Sequence, residues 1–189
     1  MRRKQSRQLA AIAMLLGIML VLQVFSNIFF AVFPFPIKPT IIHIPVIIGA
    51  ILYGPRVGAS LGFLMGIMSL ITNTVMPTPN SFLFSPLAPG GNFVSLIIAI
   101  LPRVLIGITP YYIYKWVHNR LGMALAGLTG SLTNTVFVLG SIFLLFSNVF
   151  QGDIMKLLAA VVATNSLWEM ALAAFLTAAI VPVLEKAKR

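Results

Sequence analysis

Long apolar runs follow one another almost from end to end of the chain, and each is close to the length of a helix that crosses a bilayer. A spanning helix takes roughly 20 residues of low polarity, and the runs fall at about 9–33, 40–53, 57–73, 93–117, 121–146 and 154–184. Breaks between them are chemically distinct. Pro34, Pro36 and Pro39 close the first run, because proline cannot donate to a helix and clashes with the preceding turn. Gly54-Pro55-Arg56 turns the chain after the second run, and His118-Asn119-Arg120 after the fourth. The second run is short for a crossing. The fourth contains Pro102 and Pro110, which predict a kink. Of the 189 residues, 59% are hydrophobic and 8% charged, whereas a soluble domain carries about a quarter charged residues. Six spans and short loops use most of the length. The expected fold class is therefore all-α and integral to a membrane: six transmembrane helices forming one domain over 1–189.

The net charge of +10 raises the question of nucleic acid, but its distribution answers it. Basic residues gather at the ends of apolar runs rather than on a stripe or tract. In a six-span arrangement Arg2, Arg3, Lys4, Arg7, Arg56, Lys115, Arg120, Lys186, Lys188 and Arg189 fall on one side, and only Lys38 and Lys156 on the other. This asymmetry places the first group, and both termini, in the cytoplasm. The loops after the first and third runs then face outward. The first run is too long for a signal-peptide core and is read as a retained helix. Without cysteine, disulfides, thiol catalysis and thiolate metal sites are excluded.

Small residues recur every four positions: Gly54, Gly58, Gly62 and Gly66; Gly122, Ala126, Gly130 and Asn134; Ala13 and Gly17. Such stripes let helix backbones approach closely in lipid. They serve either packing within the bundle or docking of another membrane subunit, and Ala13/Gly17 on the first helix is the candidate for docking.

Polar side chains inside apolar runs are costly, so each needs a reason. Arg103 stands about ten residues into the fourth run. Its planar fork fits a substrate carboxylate or phosphate, or it pairs structurally with Glu169. Asn165, Trp168 and Glu169 are spaced three and four apart on the sixth run, and Asn134 lies midway along the fifth. One cation, one anion, two amides and an aromatic wall suit a pocket for a small polar molecule. Each Asn fits interhelical hydrogen bonding equally well, and Trp168 fits core packing. His43 reads as a helix-end histidine or a ligand contact, and His118 as a solvated turn residue. Residues 81–92 are apolar without helical period. Irregular backbone is not tolerated against lipid, so this loop is expected to fold over the bundle as a lid, with Asn92 or the Gly90-Gly91 backbone offering hydrogen bonds.

Several chemistries lack their parts. There is no P-loop, so ATP hydrolysis by that route is excluded. Two separated histidines and one embedded glutamate do not form a metal site, and no Ser–His–Asp set shares one depth. No cofactor is implied. A stand-alone secondary transporter for a small organic anion would need a coupling-ion site, and no inverted repeat is evident.

Segment 44–59, with Pro45, Gly49 and the turn Tyr53-Gly54-Pro55-Arg56 followed by Gly58, resembles the junction of the second and third helices in S components of energy-coupling factor (ECF) transporters. Ser85-Pro86 through Asn92, and 95–103 ending in Pro102-Arg103, resemble the pantothenate-type branch of that family. The resemblance spans nearly the whole chain. It implies a non-enzymatic subunit that captures a water-soluble vitamin from outside, beneath the loops after helices 1 and 3. A transmembrane coupling protein and two ATPase subunits would supply the energy. It also implies docking through an Ala-xxx-Ala motif on helix 1, for which this sequence has Ala13-xxx-Gly17. Pantothenate is the expected substrate; riboflavin, folate, niacin, pyridoxine and a thiamine precursor are the alternatives within the class.

Overall fold

The computed structural model describes residues 2–32, 41–146 and 166–188. Among these residues the chain is helical, without strands: α1 (Arg2–Val32), α2 (His43–Tyr53), α3 (Pro55–Val75), a single 3-10 turn (Ser81–Leu83), α4 (Val94–Ile106), α5 (Thr109–Trp116), α6 (Arg120–Phe146) and α7 (Leu167–Lys188). Five segments are long and apolar enough to cross a membrane: Gln8–Phe29, Pro55–Val75, Val94–Trp116, Arg120–Phe146 and Leu167–Ala187. The third of these joins α4 to α5. The fourth apolar run is thus one crossing broken at Gly107–Ile108, whose amides reach back only three residues, to Val104 O and Leu105 O.

The short helix α2 is the core. Every residue from His43 to Leu52 is buried, and α2 touches α1, α3, α4, α5, α6 and α7. Its 11 residues make about 16 Å of helix at 1.5 Å per residue, well short of a bilayer. Isoleucine, valine and alanine surround it, and a helix apolar on all sides is stable only when enclosed. Pro45 sits in its first turn, where an amide would lack an intrahelical partner in any case.

Gly54, at φ +96°, turns α2 into α3, and its N–H donates to Ala50 O at 2.9 Å. From there α3 lies directly on the backbone of α4. A Cβ added at Gly58 would strike Gly107 O, one at Gly62 would strike Arg103 O, and one at Gly66 would stand 2.8 Å from Ala99 O. Both helices advance by four residues in opposite senses, so the pair is antiparallel. α6 and α7 pair likewise: Gly127 lies against Ala173 O, and Tyr114, just before α6, donates to Glu185 Oε1 at 2.9 Å. The glycine stripes of α3 and α6 therefore serve the bundle interior. Gly17 differs: a methyl group added there would meet nothing within 4 Å. α1 is held mainly through Leu15 and Met19, while Met14, Val21, Phe25 and Ile28 of the same helix are exposed.

The starts of α3 and α6 and the ends of α5 and α7 meet at one end of the bundle, which carries Arg56, Lys115, Arg120 and Lys186. The opposite end carries the loop 76–93 and is called the loop end below. Adding a methyl group at Gly62 forces α3 off α4, and overpacking of this kind costs about 1–3 kcal/mol or more. Gly62→Ala is expected to lower the thermal unfolding midpoint in detergent by several degrees, while Gly17→Ala leaves it unchanged.

Candidate functional site

Polar groups collect one turn toward the loop end from the closest helix contacts. Gly130 packs beneath Ile47 of α2 and Pro110 of α5. One turn on from that contact stand His43 on α2 and Asn134 on α6. One turn on from the Gly127–Ala173 contact stand Ser131 on α6 and Glu169 on α7. His43, Ser131 and Glu169 are buried, at 1%, 0% and 5% exposure. The hydroxyls of Thr109 and Thr133 meet at 3.0 Å across α5 and α6. Four helices thus bring donors and acceptors into one layer of an otherwise apolar bundle.

Arg103 points into this region from α4. The packing of its own carbonyl against Gly62 settles the direction, because α3 occupies the other side. A helical side chain leans toward the helix N-terminus, which here is the loop end. The guanidinium is buried at 8% exposure and lies within electrostatic reach of the Glu169 carboxylate. Its Nη1 donates to Ile98 O at 2.6 Å. Its carbon lies 5.1 Å from the centre of the Phe84 ring, a cation–π distance. The buried Nε has no hydrogen-bond partner among the described residues. The same is true of Asn134 Oδ1, Ser131 Oγ and Thr177 Oγ1.

The loop closes over the guanidinium. Phe82, Leu83 and Phe84 join Ile98, Ile142 and Phe146 in a small apolar cluster, and the Phe82 and Phe146 rings meet edge to face with centres 5.7 Å apart. Neutral hydrogen bonds fasten it. Ser81 Oγ donates to Asn73 Oδ1 at 2.8 Å and accepts from Thr78 N–H at 2.8 Å. Thr74 and Ser85 share a bond of 2.7 Å, and Ser95 Oγ donates to Phe82 O at 2.6 Å. The loop is a lid in its placement.

The residues singled out from sequence divide accordingly. Arg103, Glu169, Asn134 and His43 come to the same polar region; His43 is the first residue of α2, a helix end as expected, and it is buried. Trp168 does not join them: it is 77% exposed, because it stands about 100° around α7 from the buried Glu169. Asn92 is exposed, and its Oδ1 accepts Val94 N–H at 2.9 Å, so its side chain starts α4. Asn165 lies outside the described residues. Ser131, Thr133, Thr109 and the loop ring Phe84 were not distinguished by sequence. Their four-residue spacing from Gly127 and Thr129, or between Thr109 and Leu105, marks helix packing and hydroxyl back-bonding as readily as a site. Ala13 is exposed, one turn from the open Gly17.

A buried guanidinium whose Nε has no partner among the described residues, a buried amide oxygen likewise without one, and an apolar lid are the kinds of group with which a protein can hold a small anion that also carries hydroxyl or amide hydrogens. Among the described residues no three His, Cys, Asp or Glu side chains gather to hold a metal.

Residues 7–181 match the family model for the substrate-specific component of ECF transporters. The chain is 48% identical over 193 aligned residues to the pantothenic acid transporter PanT of Lactococcus lactis subsp. cremoris, covering 100% of this chain and 98% of the relative. It is 30% identical over 168 residues to the pantothenate transporter PanT of Leuconostoc mesenteroides subsp. mesenteroides, covering 79% and 78% of the two. With its apolar helices and buried polar layer, the chain is a multi-pass membrane protein that belongs to the family of ECF transporter substrate-specific components.

Proposed function

We propose that this subunit captures pantothenate and presents it for ATP-driven import. The observation that carries the reading is the Nε edge of Arg103, buried beneath the lid without a partner among the described residues. Pantothenate offers a carboxylate to that edge, and an Arg–carboxylate fork supplies both energy and orientation. Its hydroxyl and amide hydrogens suit the Asn134 Oδ1 acceptor, and its branched methyl groups suit Phe82 and Phe84. Glu169 balances the guanidinium charge in the low dielectric of the bundle. His43 adds to the polar wall, and Asn165 is proposed as a further substrate contact from its sequence spacing to Trp168 and Glu169 alone. The two PanT relatives support the choice of substrate. The exposed position of Trp168 argues against a stacking role, and the capping bond of Asn92 argues against direct ligation.

In this reading all of 1–189 is one transmembrane substrate-binding domain of six spans. The basic end, with Arg56, Lys115, Arg120 and Lys186, faces the cytoplasm, and the lid faces outward. The subunit is not an enzyme. Energy comes from two ATPase subunits acting through a transmembrane coupling protein, which docks on the open Ala13/Gly17 face of α1.

Two measurements test these statements. Calorimetry on the purified subunit in detergent should register saturable pantothenate binding. Hydrogen bonds to a charged group are worth about 1.5–3 kcal/mol, so Arg103→Ala should weaken binding by about 10- to 100-fold. Asn134→Ala should weaken it several-fold. Unchanged binding in folded Arg103→Ala would end the carboxylate-grip reading. Separately, Gly17→Leu should leave binding by the isolated subunit intact while abolishing co-purification with the coupling protein and pantothenate uptake in cells. Retained uptake would remove α1 as the docking face.

A further inference from the structure

In an α-helix the amide of each residue donates to the carbonyl four positions earlier. Residue 102 of α4 is proline, so the amide that would serve Ile98 O does not exist. In an apolar interior a carbonyl without a donor is costly. The donor found there is Arg103 Nη1, at 2.6 Å. The side chain next to the proline thus takes up the carbonyl that the proline releases. A guanidinium has five N–H groups in a fixed plane, and anchoring one of them limits how that plane can turn. The guanidinium carbon also rests over the Phe84 ring, 5.1 Å from its centre. Gly62 holds the Arg103 backbone from the other side. Anchored in this way, the guanidinium leaves Nε buried and unpartnered among the described residues.

We propose that Pro102 is a positioning residue for substrate recognition: it reserves the Ile98 carbonyl for Arg103 Nη1 and so orients the guanidinium edge that receives the substrate carboxylate. The inference rests on the reading that Arg103 grips the carboxylate of pantothenate. An alanine at 102 restores the amide, which then bonds to Ile98 O as in any helix. Nη1 loses its sole claim on that oxygen, and the fork is free to turn away from the ligand.

The test is calorimetry of the full-length subunit in detergent with pantothenate and with pantothenyl alcohol, in which a hydroxymethyl group replaces the carboxylate. Pro102→Ala should weaken pantothenate binding by about tenfold, the loss of one charge-assisted bond, leave the alcohol unaffected, and keep or raise the unfolding midpoint. Pro102→Gly restores the same amide without a side chain and carries the same expectation. Pro182→Ala, at the proline inside α7, should change neither ligand. Wild-type pantothenate affinity in Pro102→Ala, with loss in Arg103→Ala, would overturn the positioning role and leave the Arg103 grip standing. Wild-type affinity in Arg103→Ala would instead remove the grip itself. Equal weakening of both ligands by Pro102→Ala would overturn the proposal, since the proline would then act on general shape. Failure of both Pro102 variants to fold would overturn it as well, by making the proline a requirement of the fold.

Discussion

The approach of α3 to α4, backbone against backbone through Gly58, Gly62 and Gly66, governs the rest of the molecule. It removes one whole side of α4 from use. Arg103, whose carbonyl lies under Gly62, can only send its side chain into the bundle. The same contact fixes the loop end of α3 beside the start of α4, which is where Asn73, Thr74 and Ser95 take hold of the connecting loop. A ladder of missing side chains thus settles the direction of a charge and the seat of a lid. In lipid, where apolar helices gain nothing by leaving the solvent, such close packing is the available source of attraction.

Within that frame the polar residues follow an accounting rule. Many hydroxyls and amides find protein partners nearby: Thr129 bonds to Leu125 O at 2.7 Å, Thr133 to Thr129 O at 2.7 Å, and Asn119 Oδ1 takes the Gly122 amide at 2.8 Å. Among the described residues the unsatisfied atoms include Arg103 Nε, Asn134 Oδ1 and Ser131 Oγ, on the two helices that carry the apolar lid cluster, and Thr177 Oγ1 on α7. Native interiors pair nearly all their buried polar atoms, and the unpaired ones on α4 and α6 are the basis for proposing a binding layer there.

Much of this was legible in the sequence because hydrocarbon constrains composition so tightly. Run lengths located α3, α6 and the break-bearing fourth crossing to within a few residues, whereas α1 begins at Arg2, seven residues before its apolar run; the cost of a buried charge pointed to Arg103 and Glu169. What composition does not encode is rotation about a helix axis. Trp168 and Glu169 are neighbours in sequence yet face opposite environments, and only the packing of Ala173 on Gly127 fixes which turns inward. Length alone did not reveal the place of α2. A short run reads as a deficient crossing, whereas its shortness is what lets it sit enclosed among the other helices. Asn92 was recognisable as polar in a neutral loop, but whether its amide meets a ligand or begins a helix depends on the backbone direction at Val94.

The lid fastening has a consequence for the conditions under which the site operates. Serine, threonine and asparagine make all of its side-chain bonds, and residues 74–92 contain no ionisable side chain. Within residues 74–92 nothing titrates between acid and neutral medium, and the charged Arg103 beneath Phe84 is buried away from dissolved ions. A closure built from salt bridges would loosen in brine and change with acidification. A loop fastened by neutral groups, with no ionisable side chain from 74 to 92, has no such dependence of its own on acidity or ionic strength.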